Sequence, residues 1–286
     1  MRLLTFLSLL LVNSSLIAAD NNQAYQLLEN LSKSLRTANF TTTFVVVKNN
    51  NSAPYHWAHG ISDNGDELEI LSVLNGAYRD IVRKNDIVSY LESGVTPYSV
   101  TSRYISSPIP EILSGDTQLL MENYNLVSVG KSRVLGRVAD TIRIVSKDPH
   151  RYGHRLWLDK ESGLLLKLAI IGSTGQVLEQ IQVMHLELEQ KINPSLEQIV
   201  NAEFPQVIEA PEMFNNQKHK WQPNWLPKGF KQINANSHRI LHTKQPTEFK
   251  LFSDGLVDIS VYVSPSNDHN RPSGYAQEGA TLAYNH

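Results

Sequence analysis

The amino-acid sequence predicts an α+β fold, in which a large curved antiparallel sheet carries helices across one face and is followed by a small second domain. Three observations carry this prediction. Between positions 40 and 188, short runs rich in Val, Ile, Thr and aromatic residues alternate with Asn, Gly, Asp and Pro turns, which is the pattern of hairpin-connected strands. A single stretch of helical periodicity precedes them, and a break rich in proline and asparagine follows at 191–217. The length of 286 residues suits two domains at roughly 150 residues per domain.

Residues 1–19 read as a secretory signal peptide. Arg2 is followed by an apolar run from Leu3 to Val12, and Ala18-Ala19 before Asp20 offers a small-residue cleavage site. The run is shorter than the roughly 20 residues a spanning helix needs, so the mature chain is expected to be exported and not membrane-spanning. Ala24, Leu27, Leu28, Leu31, Leu35 and Ala38 then recur at three- and four-residue steps and predict an amphipathic helix over 22–38.

Strands are predicted at 40–48 and 55–61 around the Asn49-Asn50-Asn51 turn, at 67–74 ending on Asn75-Gly76, and at 77–82 and 87–91 joined through Lys84-Asn85-Asp86. A meander of strands at 126–129, 138–146, 154–159, 164–171 and 176–188 follows, separated by glycine-, proline- and aspartate-containing turns. In the last strand the apolar positions change parity near 183, from Val177, Ile181 and Val183 to Met184, Leu186 and Leu188, which predicts a bulge. Helices at 22–38 and 111–123 are expected to fill the concave face only in part, leaving an apolar trough; the same residues also suit a closed core. The first domain is assigned to 20–190.

The segment 191–217 is assigned as a linker, with Ser195 and Gln198 forming a capping box that starts a short helix. The second domain, 218–286, is expected to be α+β, with strands at 249–252 and 256–263 around Asp254-Gly255, a type I′ hairpin signal. A domain this small has little core of its own and is expected to pack against the first domain or a partner.

Composition narrows the function. With 26 basic and 28 acidic residues, the net charge of −2 removes the electrostatic case for nucleic acid. With no cysteine, disulfides, thiol nucleophiles, cysteine-ligated zinc, iron–sulfur clusters and a lipidated cysteine are all excluded. His56 and His59 lie in a strand-like segment, where a separation of three puts them on opposite faces, and His150 with His154 lacks the glutamate of a His-Glu-x-x-His pair, so neither a metal nor another cofactor is expected. Ser253 does not sit in the Gly-x-Ser-x-Gly context of a hydrolase, and no nucleotide-binding loop is present, so no enzyme is indicated. The tryptophans, with Tyr90, Tyr98 and Tyr104, suit either a core or a binding surface. The basic side chains Arg79, Arg83, Lys84, Arg103, Arg151 and Arg155 suit either an amphiphile's phosphates or simple solvation of strand edges.

Six blocks carry a family likeness: residues 78–83 (Tyr-Arg-Asp-Ile-Val-Arg), 86–91, 127–133, 156–163, Trp225-Leu226-Pro227-Lys228-Gly229-Phe230 and Leu251-Phe252-Ser253-Asp254-Gly255-Leu256. In this order they resemble the RseB/MucB family of periplasmic regulators of the sigma-E envelope stress response. The resemblance implies an N-terminal half-barrel like the lipoprotein carriers LolA and LolB, and a small C-terminal domain. It also implies a periplasmic location, binding to the periplasmic region of the anti-sigma factor RseA, protection of that factor from the site-1 protease DegS, and release by lipopolysaccharide. On that basis Phe44, Trp57, Leu71 and Trp157 are the candidate lipid contacts, and Trp225, Phe230, Phe252 and Leu256 the candidate partner contacts. Members of this family usually continue past the equivalent of His286 with another strand and a helix. A LolA-type lipid or lipoprotein carrier is the alternative function, and homo-oligomer formation is left open.

Overall fold

A computed structural model of the chain describes residues 22–208, 221–238, 247–263 and 273–285. The signal peptide expected at 1–19 lies outside the described residues, as does the linker from 209 onward. Helix α1 spans 22–37. The strands of the first domain are β1 (Phe40–Lys48), β2 (Asn51–Ile61), β3 (Glu67–Val73), β4 (Arg79–Lys84), β5 (Ile87–Glu92), β6 (Tyr98–Thr101), β7 (Tyr124–Val134), β8 (Arg137–Ser146), β9 (Gly153–Asp159), β10 (Leu165–Ile171) and β11 (Val177–Leu188). They form one 11-stranded antiparallel sheet in the order β6-β5-β4-β3-β2-β1-β11-β10-β9-β8-β7. The two meanders meet where β1 pairs with β11, and the edges β6 and β7 do not pair with each other, so the curved sheet stays open as expected.

The inner face is built by alternation. Phe40, Phe44 and Val46 of β1 meet Trp57 and Leu71 on one side and Ile181, Leu168, Leu156 and Ile142 on the other. Across them lies α1, which buries Ala24, Leu28, Leu31 and Leu35, the stripe its periodicity predicts. The pairing of β1 with β11 shifts register between Thr43 and Phe44, with His185 and Val183 as their respective partners. Met184 is the extra residue, so the predicted bulge is present, and Leu186 rather than His185 continues the core.

Three local expectations are corrected. Residues 111–123 do not form one helix. They make 3-10 turns at Glu111–Leu113 and Thr117–Leu119 followed by α2 (Leu120–Asn123), because Asp116 caps a fresh start by accepting the Gln118 N–H. Helix α3 (Pro194–Val200) is capped by Asn193 rather than Ser195; Pro194, which has no N–H to satisfy, occupies its first position. Only Gly255 of the Asp254-Gly255 pair has positive φ (97°), so the turn is not type I′. Instead Asp254 Oδ1 accepts the N–H groups of Leu256 and Val257.

The outer face is covered at one end. Leu196 and Ile199 of α3 pack on Ala58 and Leu68 of β2 and β3. The following residues run beside β6, where the Ser99 N–H donates to Gln206 O at 3.0 Å and the Ile208 N–H to Ser99 O at 2.8 Å, covering an otherwise open edge. The sequence did not predict β6, which has only four residues.

In the second domain, β12 (Lys231–His238), β13 (Thr247–Ser253) and β14 (Asp258–Val263) form a three-stranded antiparallel sheet, and β15 (Gly274–Glu278) pairs with β16 (Thr281–Asn285). Among the described residues no helix is long and apolar enough to cross a membrane.

Candidate functional site

The inner face offers an apolar groove under a crossing segment. Thr42, Trp57, Leu71, Ile81 and Tyr90 are successive register partners across β1 to β5. Phe44 stacks on Tyr55 at 5.2 Å, and Phe40 meets Trp57 edge-on at 5.2 Å. Of the residues expected to contact lipid, Phe44, Trp57 and Leu71 therefore come together and are buried. Residues 102–115 pass over them and bury Ile105, Ile109 and Leu113 in the same core. A cleft of about 170 Å³ remains beneath, lined by Tyr55, Leu71, Ile81, Ser107 and Pro108. A cavity of about 150 Å³ holds a benzene, so the cleft as it stands has room for little more than one ring of that size.

Trp157 is not in this groove. Leu156 and Leu158 point inward, and alternation sends Trp157 to the opposite face. There the ammonium of Lys167 lies 4.9 Å and the guanidinium of Arg155 5.8 Å from its ring.

One register step from Trp57 the inner face turns polar. His59, Glu69 and Arg83 are cross-strand partners, and all are buried. Arg83 Nη2 donates to Glu67 Oε1 and Glu69 Oε1 at 2.5 Å each, while Nη1 donates to Asn85 O at 2.8 Å. Burial alone would raise the Glu67 carboxyl, yet hydrogen bonds from His59 and Arg83 outweigh it and hold the pKa down at about 2. Ligand atoms of His59, Glu67 and Glu69 lie within 4.8 Å of one another, a spacing that suits a cation. Arg83 already supplies that positive charge, so the group reads as an ion-pair network. Trp57 Nε1, Glu69 Oε2 and Arg83 Nε have no hydrogen-bond partner in the protein, and their residues line a cavity of about 20 Å³, room for one water.

The second feature is a seat between the domains. The side chains of Asp254 and Arg151 are both 0% exposed, and Arg151 Nε donates to Asp254 Oδ2 at 2.5 Å. Tyr124 Oη donates to the same oxygen at 2.8 Å. Arg151 also donates to Asp148 and to the carbonyl of Lys228, and its guanidinium lies 5.0 Å from the Phe230 ring. Burial, with Asp254 adjacent, pushes the Tyr124 phenol well above its ordinary range. His154 is buried beside this network, and burial pulls its pKa down to about 4 against the attraction of Asp254. Two glycines complete the fit. Gly229 and Gly255 both have positive φ, and neither leaves room for a Cβ, against the Asn123 side chain and Ile112 respectively.

The residues expected to contact a partner mostly build this seat. Phe252 is buried, Leu256 packs on the first domain's core, and Phe230 lies over Arg151. Trp225 is 63% exposed, with its ring edge-on to His150 at 4.8 Å. Of the basic residues considered for phosphate binding, Arg79, Arg83, Lys84 and Arg151 are engaged by carboxylates.

The family model of the MucB/RseB N-terminal domain matches residues 23–208, and that of the MucB/RseB C-terminal domain matches residues 215–286. The chain belongs to the MucB/RseB family. Its relatives include the sigma-E factor regulatory protein RseB of Escherichia coli K12, 30% identical over 260 residues that cover 89% of this chain and 81% of that protein. The sigma factor AlgU regulatory protein MucB of Pseudomonas aeruginosa is 28% identical over 278 residues, covering 96% and 86%. Among solved structures, the Pseudomonas aeruginosa MucA/MucB complex aligns with a TM-score of 0.72 at 27% identity, covering 91% of this chain and 86% of that one. A structure of MucB aligns with a TM-score of 0.60 at 25% identity, covering 92% of each. The MucB/RseB family is one of regulatory binding proteins rather than enzymes, and both blocks that form the interdomain seat fall inside its C-terminal model.

Proposed function

We propose that this protein is a periplasmic negative regulator of the sigma-E envelope stress response. It binds the periplasmic region of an RseA-type anti-sigma factor, shields it from site-1 proteolysis, and releases it when lipopolysaccharide or another acylated amphiphile enters the groove. The observation that carries the reading is the likeness, across both domains, to a MucB chain solved together with MucA. The leader-like N-terminus supports export.

The groove and the seat suggest how release works. Phe44, Trp57 and Leu71 are the lipid contacts, and each methylene an acyl chain buries contributes about 0.8 kcal/mol toward displacing the segment 102–115. That segment reaches the second domain, because Ile112 lies against Gly255, and Glu111 is close enough to Asp258 for the two carboxylates to repel. Lifting Ile105, Ile109 and Leu113 therefore removes the surface on which the Asp254-Gly255 turn rests. Trp225 is the partner contact, with Phe230, Phe252 and Leu256 holding the turn and strands that present it. An amphiphile favouring the lifted state lowers partner affinity by the factor that partner binding lowers its own.

Calorimetric titration of the mature chain with the periplasmic segment of its own anti-sigma factor tests the reading. Saturable one-to-one binding that weakens with added lipopolysaccharide fragments is expected. Tight uptake of a fluorescent acyl probe with no segment binding would instead favour a LolA-type carrier.

A further inference from the structure

The outer face of β8, β9 and β10 carries three basic side chains, two of them over the Trp157 ring. Alternation points Thr141 and Arg143, Arg155 and Trp157, and Lys167 and Ala169 outward. Arg143 is the direct partner of Arg155, and Trp157 pairs with both Thr141 and Lys167. Arg143 and Arg155 are exposed, and Trp157 and Lys167 are half-buried. Among the described residues none of these three cations has a carboxylate within ion-pair distance. The same two rows continue through Gln180 and Gln182 of β11 to Val45 and Val47 of β1, and Val127 of β7 pairs with Arg143, so no acidic residue enters them. Like charges directly opposite each other weaken a sheet, so the Arg143–Arg155 pairing costs stability rather than supplying it.

We propose that this face docks on an anionic phospholipid bilayer, with Arg143, Arg155 and Lys167 on headgroup phosphates and the Trp157 ring at the interface. An array of phosphates suits cations spread over three adjacent strands about 4.8 Å apart, and an amphipathic indole between two cations suits the headgroup level. An extended acidic polypeptide fits less well. Each of β8, β9 and β10 is hydrogen-bonded on both sides, which leaves no edge for strand addition, and the clefts described above lie on the other face. A basic residue near an anionic surface contributes about 1 kcal/mol, or about fivefold in affinity.

The test is co-sedimentation of the full mature chain with phosphatidylcholine vesicles that contain or lack phosphatidylglycerol. Binding only to the anionic vesicles, falling with added salt, is expected. The Arg143→Thr/Arg155→Thr variant should bind them about 25-fold more weakly, with an unchanged or higher thermal midpoint because a like-charge pair is gone. On the function proposed above, monomeric short-chain phosphatidylglycerol enters the opposite face, so the variant should take it up unaltered. Equal binding to uncharged vesicles, or undiminished binding by the variant, would overturn the proposal. So would capture of polyglutamate without capture of vesicles, which would point to an acidic protein partner.

Discussion

Replacing Asp254 with alanine removes the fully buried carboxylate on Arg151 and tests how the two domains are joined. Both side chains are 0% exposed, so the variant leaves a guanidinium out of water with Asp148, 26% exposed, as its remaining counter-charge. Removing one partner of a buried ion pair costs about 3–5 kcal/mol. The residual Asp148 contact lowers that loss, while the lost Tyr124 hydrogen bond and the freed Leu256 and Val257 N–H groups raise it by about 1 kcal/mol each. A net loss of about 3–5 kcal/mol is expected in urea unfolding followed by tryptophan fluorescence, which Trp221 and Trp225 of the second domain report. Asp254→Asn keeps an oxygen for the turn, so the part of the loss that persists in it belongs to the charge. With Arg151→Met as the second arm of a double-mutant cycle, the double variant should lose clearly less than the sum of the two, with a coupling of about 1–3 kcal/mol. A loss below about 1 kcal/mol for Asp254→Ala, or strict additivity, would refute the argument that this pair fastens the domains.

Acid sensitivity should follow from His154. Its imidazole titrates near 6.5 in the unfolded chain but at about 4 in the fold, so the unfolded state takes up the proton first as pH falls. Stability is therefore level above about pH 6.5 and declines by about 3 kcal/mol between there and pH 4. Glu111, whose carboxyl is raised by burial and by Asp258, protonates earlier in the fold than in the unfolded chain and returns part of that loss. A pH series of urea midpoints should lose this slope in His154→Leu; identical slopes would contradict the assignment. Arg83→Met leaves Glu67 and Glu69 together without their cation, and should cost about 3–5 kcal/mol at neutral pH and less once the glutamates protonate. A loss independent of pH would mean that packing, not charge, holds this row.

Much of the first domain was legible because alternation and turn residues are local signals. The parity change around Val183 located the bulge without any knowledge of what β11 pairs with. Trp157 was equally legible, since Leu156 and Leu158 on either side already assign it to the other face; family likeness and aromatic character pulled it into the groove. The break at Gly115-Asp116 was hidden by apolar residues on both sides that suit either one helix or two short turns. The polar row was not legible, because Glu67 and Glu69 meet Arg83 and His59 only through the registers of three strands. The seat was even less so. Arg151 and Asp254 are separated by 103 positions, and no local pattern marks either, although the two blocks that supply its second-domain half were conspicuous as family signatures.

Protease protection is the sharpest test of the proposal that this chain guards an anti-sigma factor until an amphiphile releases it. The mature chain, the periplasmic segment of its own anti-sigma factor and the initiating protease are combined with and without lipopolysaccharide fragments, and the rate of cleavage is followed. Slow cleavage is expected in the presence of the chain, and restored cleavage when the fragments are added. Cleavage at the same rate with and without the chain, or protection that the fragments do not relieve, would contradict it.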